Sequence, residues 1–198
     1  MRVNSNTAIQ GLVALLVPYR REHVTQYHEW MQDPALQEAT ASEPLSVEEE
    51  YRMQQSWAED DDKLTFIVLD RSLPDTPGTG AHGGAMAGDV NLFFTLDEEE
   101  GGREAAEVEV MIAAKDSRGK GLAKEALRLL MAYASRELGV KRYVAKIHEV
   151  NAESRRLFEG LGFKEFKRVA VFGEVHYERH WTEQEAGQGS LQLMAYDS

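Results

Sequence analysis

Residues Asp116 to Ala123 read Asp-Ser-Arg-Gly-Lys-Gly-Leu-Ala, a stretch whose residue types are suited to binding an anion. Glycines let a bulky anion approach the main chain closely. The first N–H groups of a helix have no internal partner and carry the positive end of the helix dipole. The stretch therefore predicts a phosphate-binding turn formed by Arg118, Gly119, Lys120, Gly121, Leu122 and Ala123. The main chain binds the phosphate, and the Arg118 and Lys120 side chains add positive charge.

This turn does not have the spacing of a nucleoside triphosphatase loop. That loop needs four residues between its first glycine and a Gly-Lys pair, and then a Ser or Thr for magnesium. Here Lys120 is followed by Gly121, which argues against a nucleoside triphosphatase.

Glu107 and Glu109 are suited to a second kind of chemistry, the removal of a proton from a reacting group. They alternate with Val108 and Val110, as in a half-buried strand, so both carboxylates are expected on one side of that strand. A positioned carboxylate of this kind can act as a general base. Two carboxylates on a half-exposed strand also fit plain contact with water, and the pattern leaves both interpretations open.

The elements on either side of the turn are predicted from periodicity. The strand covers Glu107 to Ala113. After the turn, apolar residues recur at helical spacing until Gly139, which ends the helix. The core-facing positions of this helix are Ala123, Ala126, Leu127, Leu130, Met131, Ala134 and Leu138.

A second motif lies about thirty residues further on, after the strand-like run from Tyr143 to Ile147. It reads Asn-x-x-Ser-x-x-Leu-Phe-x-x-Leu-Gly-Phe and begins at Asn151. Together with Arg118-x-x-Gly121-x-Ala123, it resembles the two acetyl-coenzyme A motifs of the GNAT N-acetyltransferase superfamily, in the same order and separation. The stretches VPYRREHVTQYHEWM, TASEPLSVEEEYRMQQSW, KLTFIVLD, GDVNLFF and EVEVMIA resemble the N-acetyltransferase 9 branch, so that the resemblance covers roughly residues 1 to 180.

The resemblance implies an α/β (α+β) fold with a mixed, mostly antiparallel central sheet flanked by helices. It implies a splay between the fourth and fifth strands that holds the pantetheine arm of acetyl-CoA, the co-substrate. Backbone groups of Ile112 and Ala113 are then expected to meet the pantetheine amides, as in β-augmentation. Asn151 is expected to contact the same arm, although an Asn at a helix start also fits an N-cap. Glu107 matches the acidic residue that often acts as base in the family, whereas Glu109 stands where the common pattern has Gly.

The chain departs from the family pattern at two positions. Many members carry a Tyr seven residues after the motif Asn, which protonates the leaving sulfur, but this chain has Phe158. Some peptide N-acetyltransferases carry a Glu where this chain has Lys146. Phe158 fits a core aromatic better than a catalytic residue, and the acid is left open among water, Tyr177 and Tyr143.

Composition limits the remaining classes of function. The 198 residues carry a net charge of −12 and no cysteine, so we expect no nucleic-acid partner and no cysteinyl acyl intermediate. No apolar run approaches the roughly 20 residues of a membrane span, so we expect no membrane partner and a cytoplasmic or nucleocytoplasmic location. The six histidines show no ligand spacing, so we expect no metal.

We expect one domain over residues 1–182, with a mobile Gly- and Pro-rich insertion at 71–87. Residues 183–198 read as a disordered tail, although Leu191–Met194 can still dock. Gly11 to Val17 reads as a buried first strand, and Ser46 to Trp57 as a helix with a capping box formed by Ser46 and Glu49.

The sequence thus predicts an acetyl-CoA-dependent N-acetyltransferase that transfers acetyl directly to a primary amine of a protein or peptide. The alternative is a coenzyme A-binding interaction module with weak or lost catalysis. The choice between α-amine and lysine ε-amine, and the oligomeric state, stay open.

Overall fold

A computed structural model describes residues 2–76, 83–94, 102–182 and 191–196. The helices within those ranges are Val24–Trp30 (α1), Pro34–Ala39 (α2), Val47–Glu59 (α3), Leu122–Leu138 (α4) and Ala152–Glu159 (α5). The strands are Thr7–Gln10 (β1), Ala14–Pro18 (β2), Lys63–Asp70 (β3), Ala85–Phe93 (β4), Ala105–Ile112 (β5), Arg142–His148 (β6), Lys164–Val169 (β7), Glu174–His180 (β8) and Gln192–Ala195 (β9). None of these helices is long and apolar enough to cross a bilayer.

The chain forms two compact units, and β4, β5 and α4 each continue from one unit into the other. The first unit comprises Met1–Asn91, Val110–Leu129 and Leu191–Ser198. The second comprises Leu92–Glu109 and Leu130–Ser190. The single domain over residues 1–182 stays a prediction.

In the first unit the strand order is β9-β1-β2-β3-β4-β5, and β1, β2, β3 and β9 pair antiparallel. Helices α1 and α3 pack on this sheet through an apolar cluster that includes Leu15, Val17, Ile67 and Tyr27. Helix α3 begins with the predicted capping box. The Ser46 hydroxyl accepts from the Glu49 N–H at 3.3 Å, and the Glu49 carboxylate accepts from the Ser46 N–H at 2.8 Å.

In the second unit the order is β4-β5-β6-β8-β7, where β6, β8 and β7 pair antiparallel. Strand β5 pairs with β6 in parallel, and the register joins only Ala105–Glu107 to Arg142–Val144. The two strands therefore part beyond Glu107. This confirms the mixed, mostly antiparallel sheet with a splay. The splay lies between the two predicted strands, which are β5 and β6 rather than the fourth and fifth because the structure has one additional strand, β1, at the start.

The predicted first strand, Gly11 to Val17, is corrected by the structure. Residues 11–13 form a turn between β1 and β2. The N–H groups of Leu12, Val13 and Ala14 donate to the Glu125 carboxylate of α4, so the turn is stabilised by a residue more than a hundred positions away. Sequence periodicity contains no sign of that contact.

The tail and the insertion also differ from expectation where the structure describes them. Gln192–Ala195 is an edge strand paired with β1, which corrects the disordered tail for residues 191–196. Tyr196 anchors the strand, because its side chain is buried and its backbone carbonyl accepts from the Arg20 guanidinium at 2.8 Å. Ala85–Ala87, assigned to the insertion, are buried in β4. Residues 77–82, 183–190 and 197–198 lie outside the described residues.

Candidate functional site

The predicted anion turn joins β5 to α4 in the first unit. A short 3₁₀ turn, Lys115–Ser117, follows β5, and α4 begins at Leu122. Gly119 and Gly121 have φ of 73° and 86°, in the left-handed region that favours glycine. A Cβ at either position would meet nothing within 4 Å, so the main chain here is open on its outer side.

The Arg118 side chain lies along the end of β5. Its Nε donates to the Ile112 carbonyl at 2.9 Å, and its Nη2 donates to the Ala113 carbonyl at 3.2 Å. These are the two residues whose backbone groups were expected to meet pantetheine. Arg118 therefore fastens the turn to the strand end, and a pantetheine amide that used those carbonyls would have to share them.

Lys120, the second predicted phosphate ligand, is paired with a buried carboxylate. Its Nζ donates to Asp70 at 3.0 Å and to the Ser72 hydroxyl at 3.3 Å. Asp70 closes β3, is fully buried, and also accepts from the Ser117 hydroxyl at 2.8 Å. The carboxylate thus holds the chain on both sides of Arg118 and Gly119.

The electrostatics of Asp70 reflect these contacts. Burial acts to raise its pKa, but the hydrogen bonds from Ser72, Lys120 and Ser117 outweigh burial and hold the pKa at about 2. Asp70 is therefore a carboxylate at neutral pH, compensated by a cation. Asp70 was not among the site residues predicted from the sequence. The feature that could have indicated it is its position as an acidic residue at the end of the apolar strand Lys63–Asp70.

The turn fits a diphosphate through its main chain more than through its side chains. Both predicted cations have partners within the chain. The open glycines and the first N–H groups of the 17-residue helix α4 remain as donors. Leu122 is buried at the start of that helix and Ala123 is half-buried behind it, so they offer backbone groups only. The ligand roles of all these residues stay predictions.

Glu107 lies on β5 in the second unit and is paired with Lys146 of β6. The Lys146 Nζ is 2.7 Å from the Glu107 Oε2, and the two side chains are 35% and 12% exposed. Glu107 is opposite Val144 in the register, so Lys146, two residues on, points to the same face. Glu109 follows on that face of β5 and is exposed. The structure thus joins the predicted base to the residue that departs from the family pattern.

The tyrosines considered as acids lie on the other face of this sheet. Tyr177 is opposite Ala145 in the register, one residue out of phase with Lys146. Its hydroxyl accepts from Arg155 at 3.0 Å and donates to Glu159 at 3.1 Å. The structure therefore does not bring Tyr177 next to Glu107.

Tyr143 and Phe158 are also engaged away from that face. The Tyr143 hydroxyl donates to the Met131 carbonyl at 2.7 Å and lies 2.7 Å from the Ser135 hydroxyl, both on α4. Burial raises the pKa of Tyr143. Phe158 is buried edge-to-face against Phe163, with ring centroids 5.0 Å apart. Phe158 therefore packs as a core aromatic.

Asn151 caps α5 in the second unit, because its Oδ1 accepts from the Ser154 N–H at 3.1 Å. Its contact with pantetheine stays a prediction. In the described part of the chain, no group of three acidic or histidine side chains is arranged to hold a metal ion.

Comparison with known proteins identifies the family. The model of the acetyltransferase (GNAT) domain matches residues 14–164. An N-acetyltransferase 9-like protein of Nematostella vectensis is 48% identical over 175 residues, covering 88% of this chain and 86% of that protein. The alpha/beta-tubulin-N-acetyltransferase 9 of Homo sapiens is 46% identical over 176 residues, covering 88% and 84%.

Solved structures show the same fold. A probable acetyltransferase matches with a TM-score of 0.71 at 21% identity, covering 90% of this chain and 98% of that one. Spermidine N-acetyltransferase from Vibrio cholerae, solved with CoA and spermine, matches with a TM-score of 0.67 at 16% identity, covering 88% and 98%. This chain therefore belongs to the GNAT family of acetyltransferases and is an N-acetyltransferase.

Proposed function

We propose that this chain transfers acetyl from acetyl-CoA directly to a primary amine of a protein. The observation that supports acetyl-CoA as co-substrate is the glycine turn before α4. Its main chain is open where a diphosphate needs N–H donors. A fold neighbour solved with CoA supports the same assignment.

The roles of the side chains follow from the chemistry of the reaction. Only a neutral amine attacks a thioester carbonyl, and the attacking nitrogen must then lose a proton. We assign Glu107 as the general base that accepts this proton. Its side chain is mostly buried on β5, on the face of the sheet opposite α4 and α5. The chain has no cysteine, so the acetyl group passes without a cysteinyl intermediate.

For the acceptor we propose tubulin, or a protein segment related to it. Relatives at 45% and 46% identity, from Drosophila melanogaster and Homo sapiens, are named alpha/beta-tubulin-N-acetyltransferase 9. We also propose that the reaction takes place in the cytoplasm.

The test is a transfer assay with acetyl-CoA and purified tubulin, read by mass spectrometry of the acceptor and by release of free thiol. The thiol readout has no background from the enzyme, because the enzyme has no cysteine. Peptides with a free α-amine and a blocked lysine, and the reverse, separate the two kinds of amine. Acetyl-CoA binding without turnover on any acceptor would instead favour a coenzyme A-binding module.

A further inference from the structure

Lys146 holds the one ammonium group that the described structure places against the predicted base. Its Nζ is 2.7 Å from the Glu107 Oε2, and both side chains are more than half buried. The pair joins neighbouring strands of the sheet, β5 and β6, within the second unit. The two atoms are close enough for a proton to pass directly between them once the side chains align, with no rearrangement of either strand.

The reaction requires two proton movements near the reacting carbon. When the amine attacks, the new C–N bond leaves an extra proton on nitrogen. When the C–S bond breaks, the departing thiolate needs a proton. Phe158 has no hydroxyl, and those of Tyr143 and Tyr177 are bound to other groups on the other face of the sheet.

We propose that Lys146 is a catalytic acid that protonates the departing thiolate, an inference that rests on the proposed function. Glu107 takes a proton from the nitrogen through Oε1, since its Oε2 is engaged with Lys146. Lys146 gives a proton to sulfur as the C–S bond breaks. Protonated Glu107 then returns its proton to neutral Lys146. One proton has moved from nitrogen to sulfur, and the carboxylate and ammonium are restored.

Distance supports this assignment. With Oε1 of Glu107 within hydrogen-bond reach of the nitrogen and Oε2 held by Lys146, the Lys146 Nζ lies within about 8 Å of that nitrogen. In the tetrahedral intermediate, sulfur and nitrogen are bonded to the same carbon. An ammonium on a four-carbon side chain covers the remaining gap by rotation about its own bonds.

The test compares Lys146→Met and Lys146→Arg with the wild type, and uses Lys141→Met as the matched control. Lys141 also pairs with a glutamate, Glu104, at 2.6 Å, but both side chains are exposed. We expect kcat to fall about 100-fold in Lys146→Met, with the KM for acetyl-CoA unchanged. Lys146→Arg keeps the charge but does not release its proton, so we expect kcat to stay at least about 10-fold low.

A second readout does not depend on turnover. Trace labelling of lysine side-chain amines, read by mass spectrometry, compares Lys146 with Lys141 in the same digest. We expect the reactivity of Lys146 to rise about threefold or more in Glu107→Gln, because the carboxylate that holds its proton is gone, while that of Lys141 stays constant.

The outcomes separate this inference from the proposed function. If the wild type transfers no acetyl group to any amine, the proposed function fails. If the wild type is active and the kcat of Lys146→Arg lies within about threefold of the wild-type value, Lys146 supplies only charge, and the proposed acid role is overturned. Retention of kcat in a folded Lys146→Met overturns it as well.

Discussion

The Lys120 ammonium lies 3.0 Å from the carboxylate of Asp70, and the Ser117 hydroxyl donates to the same carboxylate at 2.8 Å. The two donors stand on either side of Arg118 and Gly119. A single buried acid at the end of β3 thereby fixes the shape of a turn almost fifty residues away in the sequence. The effect of Asp70 on acetyl-CoA is therefore expected to be indirect, through the position of main-chain amides.

Asp70→Asn should weaken acetyl-CoA binding about 10-fold with little change in kcat, because the turn loses its charged anchor while Glu107 is untouched. Calorimetry gives the binding constant, and steady-state kinetics gives the split between KM and kcat. Asp116→Asn, an exposed acid beside the same turn, is the control. An unchanged binding constant in a folded Asp70→Asn would show that the turn keeps its shape without this residue.

Asp70 should also make stability depend on pH in the acid range. Its pKa is about 2 in the folded chain against an ordinary value of 3.8. The stabilisation is therefore complete above pH 3.8 and is lost as pH falls through 2. The difference in free energy of unfolding between the wild type and Asp70→Asn should shrink by about 2 kcal/mol over that interval. Urea unfolding at several pH values measures it, and a constant difference would contradict the prediction.

Gly121→Glu should abolish the thermal stabilisation by acetyl-CoA, because it places a side chain and a negative charge on the open side of the turn. Gly139→Glu is the matched control, since Gly139 also has a positive φ and open surroundings but follows the end of α4. In both variants, backbone strain is expected to lower the free energy of unfolding by about 1 to 2 kcal/mol. Only Gly139→Glu should keep the ligand-induced shift in Tm. Equal shifts in both variants would place the diphosphate elsewhere.

Glu107→Gln should lower kcat about 100-fold and leave acetyl-CoA binding intact, because the amide cannot accept the proton from nitrogen. Glu109→Gln, the same change two residues along the same face, should keep kcat within about threefold. Thiol release at saturating acetyl-CoA checks both variants. Full activity of Glu107→Gln would show that a group other than Glu107 acts as the base.

Glu125→Ala should destabilise the first unit by about 2 kcal/mol. Its carboxylate accepts the N–H groups of residues 12, 13 and 14 at 2.9, 2.8 and 2.6 Å, and the alanine leaves those donors without their partner. Urea unfolding of Glu125→Ala and Lys124→Ala, its exposed neighbour, gives the comparison. A loss below about 0.5 kcal/mol would indicate that water replaces the carboxylate.

The parts of the fold that were predictable from the sequence depend on residues near each other in the chain. The capping box of Ser46 and Glu49 closes within one helical turn, and the end of α4 is marked by Gly139 with its φ of 72°. The motif strand and α4 follow directly from apolar periods of two and 3.6 residues, and the turn between them follows from its two glycines. Nothing beyond local pattern was needed for these elements.

The remaining features depend on contacts between distant residues, which a single sequence does not record. Strand β9 forms by pairing with β1, where Thr7 lies opposite Ala195. The hydrogen bond from Lys120 to Asp70 joins residues fifty positions apart. The contact between Glu107 and Lys146 required the register of two strands, although both residues had been singled out separately. The same register places Tyr143 and Tyr177 on the face of the sheet opposite Glu107 and Lys146, which the sequence alone does not indicate.

The strand at Gln192–Ala195 pairs antiparallel with Thr7–Gln10 along all four residues of each strand and covers the outer backbone edge of Thr7–Gln10. A shortened protein that stops before residue 191 would leave those amide and carbonyl groups unpaired beside a buried apolar layer. Such an edge recruits strands from other molecules. Expression trials should therefore keep residues 191–196 and attach any affinity tag through a spacer, because insoluble protein would give no information about catalysis.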